Sequence, residues 1–205
     1  MYLHLRTRSL GVGLGLALFA ALPVQAETYQ IDVTHSSVDF SIRHLVGRSK
    51  GQFREFSGTI VYDEKAVEKS SVEAVIKVKH IDTKNEKRDG HLRSPDFFDA
   101  ERYPEITFKS TKVEKGEGGK LLVDGDLTMH GVTRPVQLPV ELLGTGTNPW
   151  TNLPLTGFSS AITLRRSDFG INSWVDQAGV LGNEVEVGIL IEAAVAPPPP
   201  PAEKK

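Results

Sequence analysis

The sequence predicts an all-β protein built from antiparallel strands, either a sandwich or a closed barrel. Apolar and polar residues alternate strictly in eight or nine stretches, which puts successive side chains on opposite faces of a strand. Little of the chain has helical periodicity, so the apolar faces must be covered by sheet. Cys is absent, so the fold depends on its core rather than on disulfides.

Four stretches in the first part of the chain each have one apolar face. In the fourth, Glu73 and Lys77 point to the opposite, solvated face. This arrangement is typical of half-buried strands in an antiparallel sheet. The apolar faces, in chain order, contain Tyr29, Ile31 and Val33; Val38, Phe40 and Ile42; Phe56, Ile60 and Tyr62; and Val72, Ala74, Ile76 and Val78.

A short helical insertion, at about residues 84–98, interrupts the β pattern. Thr83 followed by Glu86 has the spacing of a capping box, and a Ser-Pro pair suits the start of a second helical turn. We therefore expect two short helices, Lys84–Arg93 and Pro95–Phe98. The two aromatic residues of the second helix have two interpretations: packing in the core, or a lid over a cavity.

The second half of the chain contains five further alternating stretches. The clearest is Asn183–Val195, in which the acidic residues all fall on the face opposite the apolar ones. This pattern predicts a long strand at the end of the domain. The five apolar faces contain Ile106 and Phe108; Leu121, Val123, Leu127 and Met129; Val136, Leu138, Val140 and Leu142; Phe158, Ile162 and Leu164; and Val185, Val187, Ile189, Ile191, Ala193 and Val195.

An irregular stretch, 144–157, separates two of these strands and contains Trp150. Apolar side chains in a loop can mark a contact with a membrane or a protein partner. A loop of this kind can also fold back on its own domain. The first interpretation predicts a transient membrane contact through the Trp150 loop.

The chain divides into three segments. Residues 1–26 have a basic start, an apolar run shorter than a membrane span, and small residues at their end, as in a cleaved signal peptide. Residues 27–195 form the predicted barrel domain. Residues 196–205 are a proline-rich tail, which is expected to be solvated. This organisation predicts secretion.

Charge and motif content exclude several functions. Without Arg6 and Arg8 the chain has 22 basic and 26 acidic residues, which argues against a nucleic-acid partner. The histidines have neither the spacing of a zinc-binding helix nor that of a His-x-His strand pair. Nucleophile elbows, phosphate-binding loops and dinucleotide fingerprints are missing. We therefore assign no catalytic residue, no metal site and no cofactor.

Three polar residues fall on apolar faces at strand ends: His44, His80 and Arg166. A buried Arg or His needs a partner, so one interpretation is a hydrogen-bonded plug at the barrel rim, with Arg166 beside Asp168 or Asp89. The alternative is a polar anchor at the mouth of a pocket, holding the head group of an apolar ligand.

Five ordered strings resemble those of the YceI family, the lipocalin-like polyisoprenoid-binding proteins of bacteria. They are YQIDVTHSSVDFSIRHL from Tyr29, RDGHLRSPDFFD from Arg88, YPEITF from Tyr103, GDLTMHGVTRPV from Gly125 and RSDFGI from Arg166. The resemblance implies an antiparallel eight-stranded lipocalin-like barrel, secreted to the periplasm, with a long isoprenoid-type chain inside. It also allows a homodimer, although no exposed apolar stripe in the strands requires one.

These observations predict a barrel that binds, and transports or stores, a long-chain polyisoprenoid or similar amphiphilic lipid. Two alternatives remain open: an enzyme acting on an isoprenoid or quinone-type lipid, and a structural stress-response barrel with no internal ligand. His44, His80 and Arg166 are candidates for the polar end of the site. The predicted apolar ligand-binding residues are Val38, Phe40, Ile42, Ile76, Val78, Phe108, Leu138, Val140, Phe158, Ile162, Leu164, Val187 and Ile189.

Overall fold

The computed structural model describes residues 26–177 and 179–196, in which eleven strands and one α-helix are found. Apart from Ala26 and Ala196, the predicted signal peptide and proline-rich tail lie outside these residues. The helix, α1, spans Glu86–Arg93. The strands are β1 (Glu27–Ile31), β2 (Ser37–His44), β3 (Gly47–Phe53), β4 (Phe56–Tyr62), β5 (Ser71–Lys77), β6 (Ile81–Asp82), β7 (Glu105–Lys115), β8 (Leu121–Met129), β9 (Val132–Thr147), β10 (Pro154–Arg165) and β11 (Leu181–Val195).

The strands form one antiparallel sheet that closes into an eight-stranded barrel, which confirms the predicted fold class. Closure occurs at β1, which pairs with β4 on one side and with β11 on the other. Six of the strands lie end to end in pairs and form three long, interrupted strands. The pairs are β1 with β2, β3 with β4, and β5 with β6. Each long strand is therefore paired with the next in the chain, an up-and-down order.

The barrel has two unlike ends. The helical end is formed by 45–46, 83–104, 130–131, 166–177 and 179–180, and the opposite end by 63–70, 116–120 and 148–153. α1 therefore lies across the barrel from the Trp150 loop. Along the described stretches 26–177 and 179–196, no helix is both long and apolar enough to cross a bilayer.

Two short 3-10 helices interrupt strands that the sequence predicted to continue. Asp32 caps the first, Val33–His35, because its side chain accepts a hydrogen bond of 2.8 Å from the Thr34 amide. The chain leaves the strand here, so Val33 is 38% exposed rather than inside the barrel. The second, Val78–His80, ends the alternation of β5 in the same way.

Strand β3 was not predicted, since its sequence is mostly polar and contains Gly51. A Cβ atom at Gly51 would lie 2.4 Å from the ring of Phe40 on the neighbouring strand. The ring of Phe40 thus occupies the space that an apolar side chain of β3 would otherwise fill. The alternation signal is missing because the inner face of the strand is covered by its neighbour.

The helical insertion differs from its prediction in two respects. Asn85, rather than Thr83, caps α1, with its side chain accepting a hydrogen bond of 3.0 Å from the Arg88 amide. The Thr83 hydroxyl instead bonds the carboxylate of Asp89, one turn into the helix. Pro95–Phe98 forms a turn and not a second helix.

Gly125 on β8 leaves room for the ring of Phe108 on β7, as Gly51 does for the ring of Phe40. A Cβ at this position would lie 2.4 Å from the ring of Phe108 and 2.7 Å from the Lys109 carbonyl oxygen. We therefore expect Gly125→Ala to lower the free energy of unfolding by about 1–3 kcal/mol, because the ring or the strand must move. Denaturant unfolding measures this difference.

Gly188 on β11 is the matched control, since a Cβ there meets no atom within 4 Å. We expect Gly188→Ala to be neutral or to stabilise by less than about 1 kcal/mol, because it restricts the unfolded chain. Equal losses for the two variants would show that contact with Phe108 does not set the requirement for glycine.

Candidate functional site

A cavity of about 700 Å³ lies inside the barrel and is lined mainly by apolar side chains. The interior of the barrel is therefore hollow and is not filled by its own side chains. Its wall contains fourteen of the sixteen residues predicted from the sequence: Val38, Phe40, Ile42, His44, Ile76, Phe108, Leu138, Val140, Phe158, Ile162, Leu164, Arg166, Val187 and Ile189. Contact between these residues and a ligand stays a prediction.

Val78 and His80 lie outside this wall, which corrects their predicted placement. Both belong to the 3-10 helix that follows β5, where the two-residue period no longer applies. Val78 is 1% exposed and packs in the core. The Nε2 atom of His80 lies 2.7 Å from the carboxylate of Glu55, away from the cavity.

The two ends of the cavity differ in polarity. At the helical end its wall contains five basic side chains, and at the opposite end it contains neutral hydroxyl groups such as those of Tyr62, Ser70 and Ser71. No Asp or Glu among the described residues contributes to the wall. The basic residues are His44, Lys87, Arg88, His91 and Arg166.

Arg166 is the most deeply buried of these groups, at 5% exposure. Its Nε donates to the Gly182 carbonyl at 2.8 Å, and its Nη1 donates to the Ile171 carbonyl at 2.9 Å. Nη2 is buried and has no hydrogen-bond partner among the residues described. Burial lowers the pKa of the Arg166 guanidinium from its usual value.

The expected carboxylate partners of Arg166 are not used. Asp89 accepts a hydrogen bond of 2.8 Å from the Thr83 amide, and Asp168 is exposed. Backbone carbonyls replace them because the loop after β10 turns back against the start of β11. Among the described residues, Arg166 is therefore held at the cavity wall without a neutralising charge.

Aromatic side chains close part of the helical end. The ring centroids of His91 and Phe97 are 5.0 Å apart, and that of Trp174 lies 5.7 Å from Phe97. All three rings line the cavity, and Phe97 is also buried in the core. Of the two aromatic residues of the insertion, Phe97 and Phe98, Phe97 therefore packs in the core, as one interpretation predicted, and also lines the cavity. A role as a lid stays a prediction.

Some wall residues were missed by sequence reasoning. Trp174, Lys87 and Arg88 come from irregular segments or from a helix surface, where no periodicity indicates which way a side chain points. Ser160 could have been found, since it shares the parity of Phe158 and Ile162 on β10. Its hydroxyl is buried at the wall and has no hydrogen-bond partner in the described part of the chain.

Trp150 does not fold back on the barrel, since it is 89% exposed at the opposite end. Asn148 holds the loop in shape by accepting hydrogen bonds from the amides of Trp150 and Thr151, at 2.9 and 3.1 Å. The indole is therefore presented to its surroundings on an ordered turn.

A separate cluster of ionisable groups lies outside the cavity wall. The ligand atoms of Asp32, His35 and Glu192 lie within 4.8 Å of one another, close enough to hold a metal ion. The Nδ1 atom of His35 is 2.8 Å from the Asp32 carboxylate, which also caps the first 3-10 helix. The hydrogen bonds that Asp32 makes as the cap of this helix explain why the side chains of Asp32 and His35 lie close together.

The Asp32–His35 contact has a measurable pH dependence. The hydrogen bond between them raises the pKa of His35 and lowers the pKa of Asp32. Stabilisation from His35 is therefore complete below about pH 6.5 and is lost as pH rises through its raised pKa. Stabilisation from Asp32 is lost as pH falls through its lowered pKa.

We expect an NMR titration of His35 to have its midpoint above 6.5, and Asp32→Asn to lower that midpoint; an unchanged midpoint would contradict the assignment.

A closed barrel of eight antiparallel strands around an apolar cavity defines a class of protein, the hollow antiparallel β-barrels. Within that class, a family model described as the YceI-like domain matches residues 29–193 of this chain. The chain therefore belongs to the YceI family.

Known proteins agree with this assignment. A UPF0312 protein of Vibrio parahaemolyticus is 44% identical over 173 residues, covering 79% of this chain and 90% of the relative. The crystal structure of Burkholderia cenocepacia BcnA matches with a TM-score of 0.72 at 23% identity, covering 79% of this chain and 98% of that one. A polyisoprenoid binding domain from Saccharophagus degradans, implicated in plant cell wall breakdown, matches with a TM-score of 0.62 at 18% identity, covering 82% and 98%. At these identities the two structures show a shared fold.

Proposed function

We propose that this protein binds a long-chain polyisoprenoid, or an amphiphilic lipid of similar length, inside its barrel and carries or stores it. The cavity of about 700 Å³ with its apolar wall is the observation on which this proposal depends. Its volume is within the range of about 300–1,000 Å³ that is usual for ligand pockets. The ligand class of the Saccharophagus degradans domain supports the choice of an isoprenoid.

Desolvation is the main contribution that can hold such a chain. Burying a carbon group contributes roughly 0.8 kcal/mol, so three isoprene units contribute on the order of 10 kcal/mol before costs. Association opposes this with about 4–15 kcal/mol. The length and width of the cavity would then set specificity, with weak discrimination between prenyl and acyl chains of similar size. The proposal assigns the cavity a binding role and no catalytic residue.

Native mass spectrometry of protein purified without detergent tests the proposal. We expect a lipid adduct, or the uptake of one geranylgeraniol per chain when the protein is incubated with it. Protein that carries no lipid and takes up none would contradict a binding role for the cavity.

We further propose that the protein acts in the periplasm after removal of residues 1–26. The composition of those residues supports this location. Mass spectrometry of the periplasmic fraction should find a chain that begins at Glu27; a chain retained in the cytoplasm at full length would contradict it.

The exposed Trp150 supports the proposal of transient membrane contact at the opposite end of the barrel. We expect its fluorescence to shift to shorter wavelength when lipid vesicles are added, and an unchanged spectrum would contradict the contact.

A homodimer is a further proposal, for which the molar mass in solution is the measurement.

A further inference from the structure

The guanidinium of Arg166 is the starting point of a further inference. A charge taken out of water is costly unless it is paired, and removal of a partner from a buried pair is strongly destabilising. Arg166 is 5% exposed, and its contacts are neutral carbonyl oxygens on Gly182 and Ile171. Its third nitrogen, Nη2, is buried and has no partner in the part of the chain that the structure describes, and the side chain lines the cavity.

The groups around Arg166 strengthen its need for an anion. Apart from Tyr62, the other ionisable side chains of the wall are basic, and all of these basic groups lie at the helical end. Two carboxylates of the insertion are used elsewhere: Asp89 accepts from the Thr83 amide, and Asp96 lies 2.9 Å from Nε2 of His91. Within residues 26–177 and 179–196, no carboxylate lines the cavity or pairs with Arg166, so a ligand is the source of negative charge that could meet this guanidinium inside the cavity.

The rest of the cavity suits a chain and not a second charge. Along β10 the inward side chains from Phe158 to Leu164 are apolar except for Ser160, over roughly 20 Å. Among the residues that the structure describes, the polar groups at the opposite end of the wall are all neutral. A ligand with one charged end can therefore satisfy Arg166 in one orientation, with its chain directed away from the helical end.

We propose that the bound lipid carries an anionic head group, such as a phosphate monoester, and that Arg166 holds this group at the helical end while the chain extends toward the opposite end. The inference rests on the proposed function, because it specifies the ligand of the same cavity. Arginine suits the role, since its planar fork donates charge-assisted hydrogen bonds to phosphate and carboxylate oxygens.

The test compares two probes of equal chain length, geranylgeranyl monophosphate and geranylgeraniol, with the full chain in detergent-free buffer. We expect the phosphate to bind at least about ten-fold more tightly, as a hydrogen bond to a charged group provides. Equal affinities for the two lipids would overturn this inference and leave the proposed function standing. Uptake of neither lipid would overturn both.

Substitution of Arg166 locates the preference. We expect Arg166→Met to reduce the preference for the phosphate to less than about three-fold, because an unbranched apolar chain offers no donor, while its affinity for geranylgeraniol stays within about two-fold. Arg165→Met is the matched control, since Arg165 is exposed and lies outside the wall. A preference that survives in Arg166→Met would overturn the assignment, and if that variant does not fold, the comparison of the two lipids on the wild-type chain decides.

Discussion

Replacement of Ile162 by Trp is expected to reduce uptake of geranylgeraniol by more than about ten-fold and to leave the barrel folded. Ile162 lies in the cavity wall near the middle of β10, directly opposite Val187 on β11. A Trp side chain is large enough to occupy space that the lipid needs. Overpacking normally destabilises a core, but here the added atoms enter a hollow rather than a filled interior. Fluorescence titration and native mass spectrometry both measure the loss.

Thr163→Trp is the control for this variant. Thr163 is the next residue of β10 and is exposed on the outer face of the barrel. We expect it to bind geranylgeraniol as the wild type does. Uptake by Ile162→Trp that matches uptake by Thr163→Trp would show that the lipid does not lie in this part of the barrel.

Phe169→Ala is expected to cause a large loss of stability, about 3–5 kcal/mol in the free energy of unfolding. Phe169 is 2% exposed and packs in the core at the helical end. It does not line the cavity, so its removal leaves a void in tightly packed structure. Its carbonyl also bonds Nδ1 of His130 at 3.1 Å, which ties the loop after β10 to the turn after β8. Denaturant unfolding at constant m measures the loss.

Trp150→Ala is the comparison for Phe169→Ala, since both remove an aromatic side chain. Trp150 is 89% exposed, so we expect its removal to change stability by less than about 0.5 kcal/mol. A loss below about 1 kcal/mol for Phe169→Ala would mean that the packing at the helical end contributes far less than its burial indicates.

Alternation along the chain was sufficient to predict which face of most strands turns inward. In β11, for example, Val185, Val187 and Ile189 all line the cavity. Alternation does not distinguish a barrel from a sandwich, since both place apolar side chains between layers of sheet. Closure depends on β1, whose pairing with β11 joins residues separated by most of the chain. The eight-stranded barrel was reached through the resemblance to the YceI family and is confirmed by this pairing.

Local backbone structure explains most of the differences from the sequence predictions. Val33 and Val78 have the correct parity, but each belongs to a 3-10 helix that interrupts the period. β3 was not predicted because the Phe40 ring covers its inner face at Gly51, where an apolar side chain would otherwise lie. The contact between Gly51 and Phe40 joins two different strands. The alternation within a single strand therefore does not reveal it.

The polar end of the site was only partly predictable. Parity placed His44 and Arg166 on the inner face, where the structure has them. The partners of Arg166 are backbone carbonyls brought together by the loop before β11, and carbonyls carry no sequence signal. Lys87 and Trp174 approach the cavity from the insertion and from that loop, so only the closed barrel brings them to the wall.

Intermolecular NOEs between the protein and bound geranylgeraniol test the central claim most directly, namely that the lipid occupies the inside of the barrel. The account predicts NOEs from the prenyl methyl groups to the methyl groups of Ile162, Leu164 and Val187 in the cavity wall. NOEs confined to exposed side chains such as Leu143 and Leu190 would place the lipid on the outer surface and contradict the account.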